Sequence, residues 1–190
     1  MSEGNIIIDQ FLENYKPRLS ERTVSSLRPL LSVVHLPKKQ VLVREKQFCS
    51  KIYLIQKGAS RSFYLHNGRE VHTWFAFEGE VIGSLRNFNN QPSRESIVLV
   101  EDSVLIAFDI PGIKILMEQQ IEVANFVNIA ILEYASFLED RLFDLHLKSA
   151  REKFNALLQH EAEIFQRIPL TYIASYLGIS RETLSRLRAS

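Results

Sequence analysis

The side chains best equipped for chemistry lie together in Ser180-Arg-Glu-Thr-Leu-Ser-Arg-Leu-Arg188. Read at the helical period, Leu184 and Leu187 turn inward, leaving Arg181, Glu182, Ser185, Arg186 and Arg188 outward. An outward Arg donates two parallel hydrogen bonds to guanine O6 and N7, and Glu accepts from cytosine N4. Ser180 and Thr183, at the start of such a helix, reach phosphate oxygens. This is equipment for the major groove of double-stranded DNA. On an ordinary helical hairpin the same face would simply be solvated.

No competing chemistry stands out. His35, His66, His72, His146 and His160 lack the spacing of metal ligands and read as structural or exposed. Cys49 is the single cysteine, which excludes an internal disulfide and a four-thiolate cluster. It reads as an inert thiol, with redox sensing as the alternative. Trp74 and Phe75 read as strand core rather than a stacking platform. There is no nucleophile–base pair and no paired carboxylate motif, so the chain is not expected to be an enzyme, to carry a metal or to need a catalytic cofactor.

The elements that must position the basic face are legible just before it. Pro169 suits the first turn of a helix whose inward residues are Ile173, Ala174 and Leu177. Gly178 can take the left-handed conformation that ends that helix, Ile179 fills the corner, and Ser180 caps the next one. Two short helices joined by a glycine turn make a helix-turn-helix, and small Ala174 lets them approach.

Upstream, Ile7, Phe11 and Tyr15 fall on one helical face until Pro17, and Ser20 can cap a second short helix that Pro29 ends. From Ser32 the period becomes strand-like: Val33–Leu36, Val41–Val43, Ile52–Ile55, Ser62–Leu65, Val71–Phe77, Ile97–Val100 and Val104–Phe108. Asn67-Gly68 is a strong hairpin signal because both residues tolerate positive φ. Seven short strands at this spacing predict an antiparallel sandwich or barrel. After Pro111 one long helix is expected, from about Ile113 to His146. It carries two apolar flanks, Ala124, Val127, Ile131, Tyr134, Leu138, Leu142 and Leu145 on one and Val123, Phe126, Ala130 and Phe137 on the other. One flank can lie on the β-domain; the other fits the same helix of a second subunit, or else both are buried within one monomer. Ala150 to Ile164 reads as a further helix with Phe154, Leu157 and Leu158 on one face.

The 190 residues carry 23 basic and 22 acidic side chains. Residues 148–190 hold a net +3 against −2 for residues 1–147, which points to an anionic partner at the C-terminal end. No apolar stretch approaches the ~20 residues of a membrane span, and the start lacks the pattern of a signal peptide. A cytoplasmic protein without a membrane partner is expected.

Ile168 to Arg188 resembles the helix-turn-helix of the cyclic-AMP receptor / fumarate-nitrate regulator (CRP/FNR) family of bacterial transcription factors, and Ser180-Arg-Glu-Thr-Leu-Ser-Arg186 is similar to its recognition-helix motif. The order of elements matches over nearly the whole chain. The resemblance implies an α+β fold: helices plus an antiparallel, cyclic-nucleotide-binding-like β-roll (1–112), a long dimerisation helix (113–147) and a DNA-binding helix-turn-helix (148–190). It places Arg181, Glu182 and Arg186 at base-reading positions and allows RNA polymerase as a further partner. The family usually continues into a β-hairpin wing, whereas this sequence stops at Ser190, so a wingless variant is expected.

Gly79 to Ser96 resembles the family's phosphate-binding cassette, with Gly79, Gly83 and Arg94 in place. A carboxylate normally follows the second glycine, where Ser84 stands, and Glu95 replaces the small hydroxyl residue after the Arg. Glu95 beside a phosphate is repulsive and can instead neutralise Arg94. The implied effector residues are Gly83, Ser84, Arg94, Glu95 and Ser96, in a pocket expected to be degenerate for cyclic AMP. The alternative function is a ligand-sensing β-roll protein, with a cyclic nucleotide or another small ligand bound, acting through protein–protein contacts.

Overall fold

The computed structural model describes residues 3–15, 19–160 and 163–189. Helix α1 (Glu3–Tyr15) buries Ile8, Phe11 and Leu12. The side chain of Tyr15 and Pro17 lie outside the described residues. Ser20 caps α2 (Glu21–Leu27): its Oγ accepts from the Thr23 N–H at 3.3 Å, and a 3-10 turn at Arg28–Leu30 contains Pro29.

Two antiparallel four-stranded sheets follow. One has the order β1 (Leu31–Leu36), β8 (Ser103–Asp109), β3 (Lys51–Lys57), β6 (Val81–Ile82). The other runs β2 (Val41–Val43), β7 (Ser96–Leu99), β4 (Ser60–His66), β5 (Arg69–Ala76). Ile55, Ile97, Leu99 and Leu105 are buried in one hydrophobic cluster drawn from both sheets. Asn67 and Gly68 turn the β4–β5 hairpin with φ of 51° and 74°. In that hairpin Ser62 opposes Trp74 while Phe63 opposes His72, so Thr73 is an inserted bulge residue. Strand β6 escaped the seven strands expected from the sequence because two residues show no alternation. A four-residue helix, α3 (Leu85–Phe88), lies within the cassette segment.

The single helix expected from Ile113 to His146 is instead two. Helix α4 (Ile110–Gln119) starts with Asp109 accepting from the Gly112 N–H at 2.9 Å, and α5 (Ile121–Leu147) begins after Gln120, whose backbone is extended at φ −136°, ψ 109°. The break is held by α2. Gln120 Nε2 donates to Ser26 Oγ at 3.0 Å, while Glu122 accepts from the Ser20 N–H and the hydroxyls of Ser20 and Thr23 at 2.6–2.8 Å. These long-range bonds have no local signature.

On α5, Val123 is buried, and Phe126 and Val127 pack on the α1–α2 side of the core. Leu132, Leu142, Phe143 and Leu147 are 57–66% exposed. Contrary to the sequence expectation, Ile121–Asp140 is long and apolar enough to cross a membrane by length and composition alone.

The C-terminal helices α6 (Ala150–His160), α7 (Ile164–Arg167), α8 (Leu170–Leu177) and α9 (Arg181–Ala189) build their own core around Phe154, Leu157, Ile164, Ile173 and Leu184, with Phe75 of β5 packed in. Helix α6 stops short of the expected Ile164, and Leu158 points outward because the buried stripe passes through Phe154 and Leu157.

Candidate nucleic-acid interface and effector cavity

Pro169 is the residue before α8 rather than its first turn, with an extended ψ of 135°. Gly178 ends α8 at φ 70°, ψ 29°, and the amides of Gly178 and Ile179 bond the carbonyls of Ser175 and Ala174 at 3.1 and 3.0 Å. A Cβ at Gly178 would touch nothing, so it is the left-handed backbone that calls for glycine. Ser180 Oγ then accepts the Thr183 N–H at 3.2 Å and starts α9.

Leu184 is fully buried against α8, and this fixes the roll of α9. Arg181, Glu182, Ser185, Arg186 and Arg188 are exposed, as the sequence implies, and Thr183 is half-buried. Arg186 Nη2 donates to Thr183 Oγ1 at 3.3 Å, and the hydroxyls of Thr183 and Ser180 meet at 3.2 Å. Hydrogen bonds from its own amide and from Ser180 hold the Glu182 carboxyl below the usual range, with Arg181 and Arg186 adding to the effect. The outward face thus carries an acceptor among three guanidinium groups.

The helix-turn-helix is docked on the β-roll, which the sequence did not disclose. Ser175 Oγ on α8 accepts the His72 N–H and donates to the Glu70 carbonyl, both at 3.1 Å. Tyr172 stacks on His72 at 4.5 Å between centroids. Arg61 lies over the rings of Tyr172 and Phe63 at 4.4 and 4.3 Å while pairing with Glu70. Burial, and then the Arg61 charge, lower the His72 pKa to about 4. Arg167 ties the same end to Glu78 and Glu101.

Beneath this junction lies a cavity of about 630 Å³ between β4, β5, β7, α5 and the α8–α9 turn. Of the five cassette residues only Gly83 and Glu95 line it. Ser84 is buried elsewhere, Arg94 is exposed, and Ser96 Oγ accepts the Glu45 N–H at 3.0 Å. Gly83 is a packing requirement: at φ 158° a Cβ there would come within 2.6 Å of Ile52 Cγ2.

Glu95 does not pair with Arg94, the possibility the sequence leaves open. Glu95 turns inward, the bulged Thr73 donates its hydroxyl to Oε2 at 2.7 Å, and burial pushes the carboxyl upward. Ser93 fixes this orientation, accepting the Glu95 N–H at 3.2 Å and donating to the Glu95 carbonyl at 2.7 Å. Trp74 packs against the β-roll core, as expected, and its other side lines the cavity and meets Phe137 of α5 edge-on at 4.1 Å. Tyr134 lines it as well, its phenol pushed upward by burial and by Glu95.

Elsewhere, His35 and His66 are exposed, and the side chains of His146 and His160 lie outside the described residues. Cys49 is half-buried against the carbonyls of Leu42 and Lys51. Among the described residues no group of His, Cys, Asp and Glu could hold a metal.

Residues 33–120 match the family model of the cyclic nucleotide-binding domain. The fold is similar to that of FixK2 from Bradyrhizobium japonicum (19% identity, 84% of this chain and 83% of that one, TM-score 0.71). It is also similar to a putative CRP/FNR-family transcriptional regulator from Eubacterium rectale (21%, 91% and 83%, TM-score 0.72) and to the catabolite activator protein of Thermus thermophilus (24%, 92% and 84%, TM-score 0.55). No curated protein sequence matches the chain. Residues 33–120 thus belong to a cyclic nucleotide-binding domain fold, and a helix-turn-helix follows it in the chain. The likeness to CRP/FNR regulators is thus one of fold, over most of the chain.

Proposed function

We propose that this chain is a DNA-binding transcription regulator, not an enzyme, acting as a homodimer. The observation that carries the reading is the exposed face of α9, where Arg181, Glu182, Ser185, Arg186 and Arg188 stand opposite a fully buried Leu184. That arrangement fits direct readout of base edges, with Ser180 and Thr183 at phosphate. The apolar surface of α5 supports the dimer, because large exposed apolar side chains along one helix mark an interface. A lipid-spanning role for α5 is disfavoured by Val123 and Phe137, which anchor the helix to the β-roll side. Two copies of α9 would meet two half-sites about 34 Å apart. RNA polymerase is the protein such a regulator would engage, in the cytoplasm.

The cavity is read as the effector site. It is lined by Phe137, Leu138 and Leu142 of the proposed dimer helix and by Leu177 and Gly178 of the helix-turn-helix, so an occupant touches both units at once. Its residues do not fit a cyclic phosphate. Arg94 does not line it, and the Glu95 carboxyl, which does, would repel an anion when ionised.

Binding to genomic DNA fragments across a salt series tests the function. Contacts to several phosphates weaken steeply as salt rises, through counterion release. Binding that ignores salt would favour the alternative, a ligand-sensing protein working through apolar protein contacts.

A further inference from the structure

We infer that the cavity takes an organic cation, a small molecule bearing an ammonium or guanidinium group on an apolar body, with its charge seated at Glu95 beside Trp74 and Tyr134. The inference rests on the reading of this cavity as the effector site and names the chemistry of its occupant.

Glu95 is a built feature. The Ser93 hydroxyl grips both its amide and its carbonyl, and the bulge at Thr73 supplies the hydroxyl that meets Oε2. A bulge that re-aims one side chain at one carboxylate leaves the other carboxylate oxygen for a ligand.

The Glu95 end of the cavity favours one sign of charge. Besides Glu95, the titratable groups lining the cavity are His72 and Lys153, together with the phenols of Tyr64, Tyr134 and Tyr176. His72 is neutral well above pH 4. Lys153, on α6, is engaged in an interaction of its own. Arg94, the cassette's anion-binding group, faces solvent. An entering anion meets a carboxylate; an entering cation meets a partner that burial has left under-solvated.

The rest of the wall suits the body of such a molecule. Trp74, Phe137 and Tyr134 contribute aromatic rings, whose π-systems attract cations, and Ile82, Ile97 and Leu138 are apolar. The raised Glu95 carboxyl adds a signature. A bound cation favours the ionised form, so affinity for an amine that stays protonated throughout rises as pH rises through the carboxyl's titration.

Trp74 is the only tryptophan, so its fluorescence reports the cavity in the full chain. The probes are 4-phenylbutylammonium, 4-phenylbutanol, 4-phenylbutanoate and cyclic AMP, titrated in turn. The ammonium compound is expected to bind about tenfold more tightly than the alcohol, a 1.4 kcal/mol difference, and the carboxylate more weakly than either. Glu95→Gln should bring ammonium and alcohol together. Thr73→Val, which keeps the carboxyl, should move the pH midpoint of ammonium binding upward. Equal binding of the three phenylbutyl compounds, or tightest binding of the carboxylate or cyclic AMP, overturns the cation assignment and leaves an effector cavity. No Trp74 response to any of the four overturns both.

Discussion

Arg167 donates through Nη1 and Nη2 to the two carboxylate oxygens of Glu78 at 2.7 and 2.9 Å, a fork that joins the helix-turn-helix end of the chain to the β-roll. The Gly58 N–H donates to the same carboxylate at 2.8 Å, and Arg167 also pairs with Glu101. Docking of α8 on β5 thus has an ionic latch beside it.

Arg167→Met should weaken that latch. Hydrogen bonds to charged groups contribute about 1.5–3 kcal/mol, but Glu78 is 42% exposed and solvent screens the pair. A loss of about 1 kcal/mol, roughly 2–4 °C in Tm, is expected in thermal melts. The latch lowers the Glu78 pKa from 4.5 to about 2. A depressed carboxyl contributes fully above pH 4.5, and its contribution fades as pH falls toward 2. Melts of the parent between those values should therefore show a loss that Glu78→Gln flattens.

His72 gives a second acid-sensitive window, on the other side of the same junction. The fold holds it neutral, with a pKa near 4 against 6.5 when free, because it is buried and faces Arg61. Stability should be complete above pH 6.5 and fall as pH drops toward 4, by an amount on the order of 2–3 kcal/mol. His72→Gln should flatten the melting profile in that window. A parent whose Tm is constant from pH 7 to 4 would contradict the assignment.

What the sequence disclosed was chemistry confined to a few neighbouring residues. The Ser20 and Ser180 caps, the Asn67-Gly68 turn and the Gly178 corner each work through bonds within a turn, and all four stand as read. What stayed hidden depends on partners far along the chain. The break at Gln120 is set by Gln120 and Glu122 reaching across to Ser26 and Thr23 of α2, some hundred residues away. The inward turn of Glu95 depends on a bulge at Thr73, and a bulge is a property of two strands in register. Ser175 looked like any helix hydroxyl until β5 lay beneath it. Spacing placed Arg94 and Glu95 as neighbours, but not on opposite sides of the chain.

Leu184→Ala tests the platform on which α9 rests. Removing a fully buried Leu side chain typically costs about 2–5 kcal/mol. The loss should concentrate in the C-terminal helices, read as faster amide exchange from α6 to α9 with β3 and β8 unchanged. A uniform change across both regions would show that the two cores melt as one unit.

Arg186→Ala should cost about 1–3 kcal/mol in binding and relax preference at one base pair per half-site. Its folding should be unaffected, since Arg186 is exposed and its bond is to Thr183 at 3.3 Å. Undiminished binding would remove Arg186 from the base-reading set.

Leu132→Asp, at an exposed apolar site of α5, should shift the protein from dimer to monomer in sedimentation equilibrium, with little change in the β-roll. A parent that sediments as a monomer would contradict the role given to α5.

Selection of bound sequences from a random duplex pool tests the proposed function most directly. The expected result is an enriched pseudo-palindrome with half-site centres about one helical turn apart, about 10 base pairs, lost in Arg186→Ala. Recovery of no preferred sequence, or of a preference that Arg181→Ala and Arg186→Ala leave intact, would contradict it.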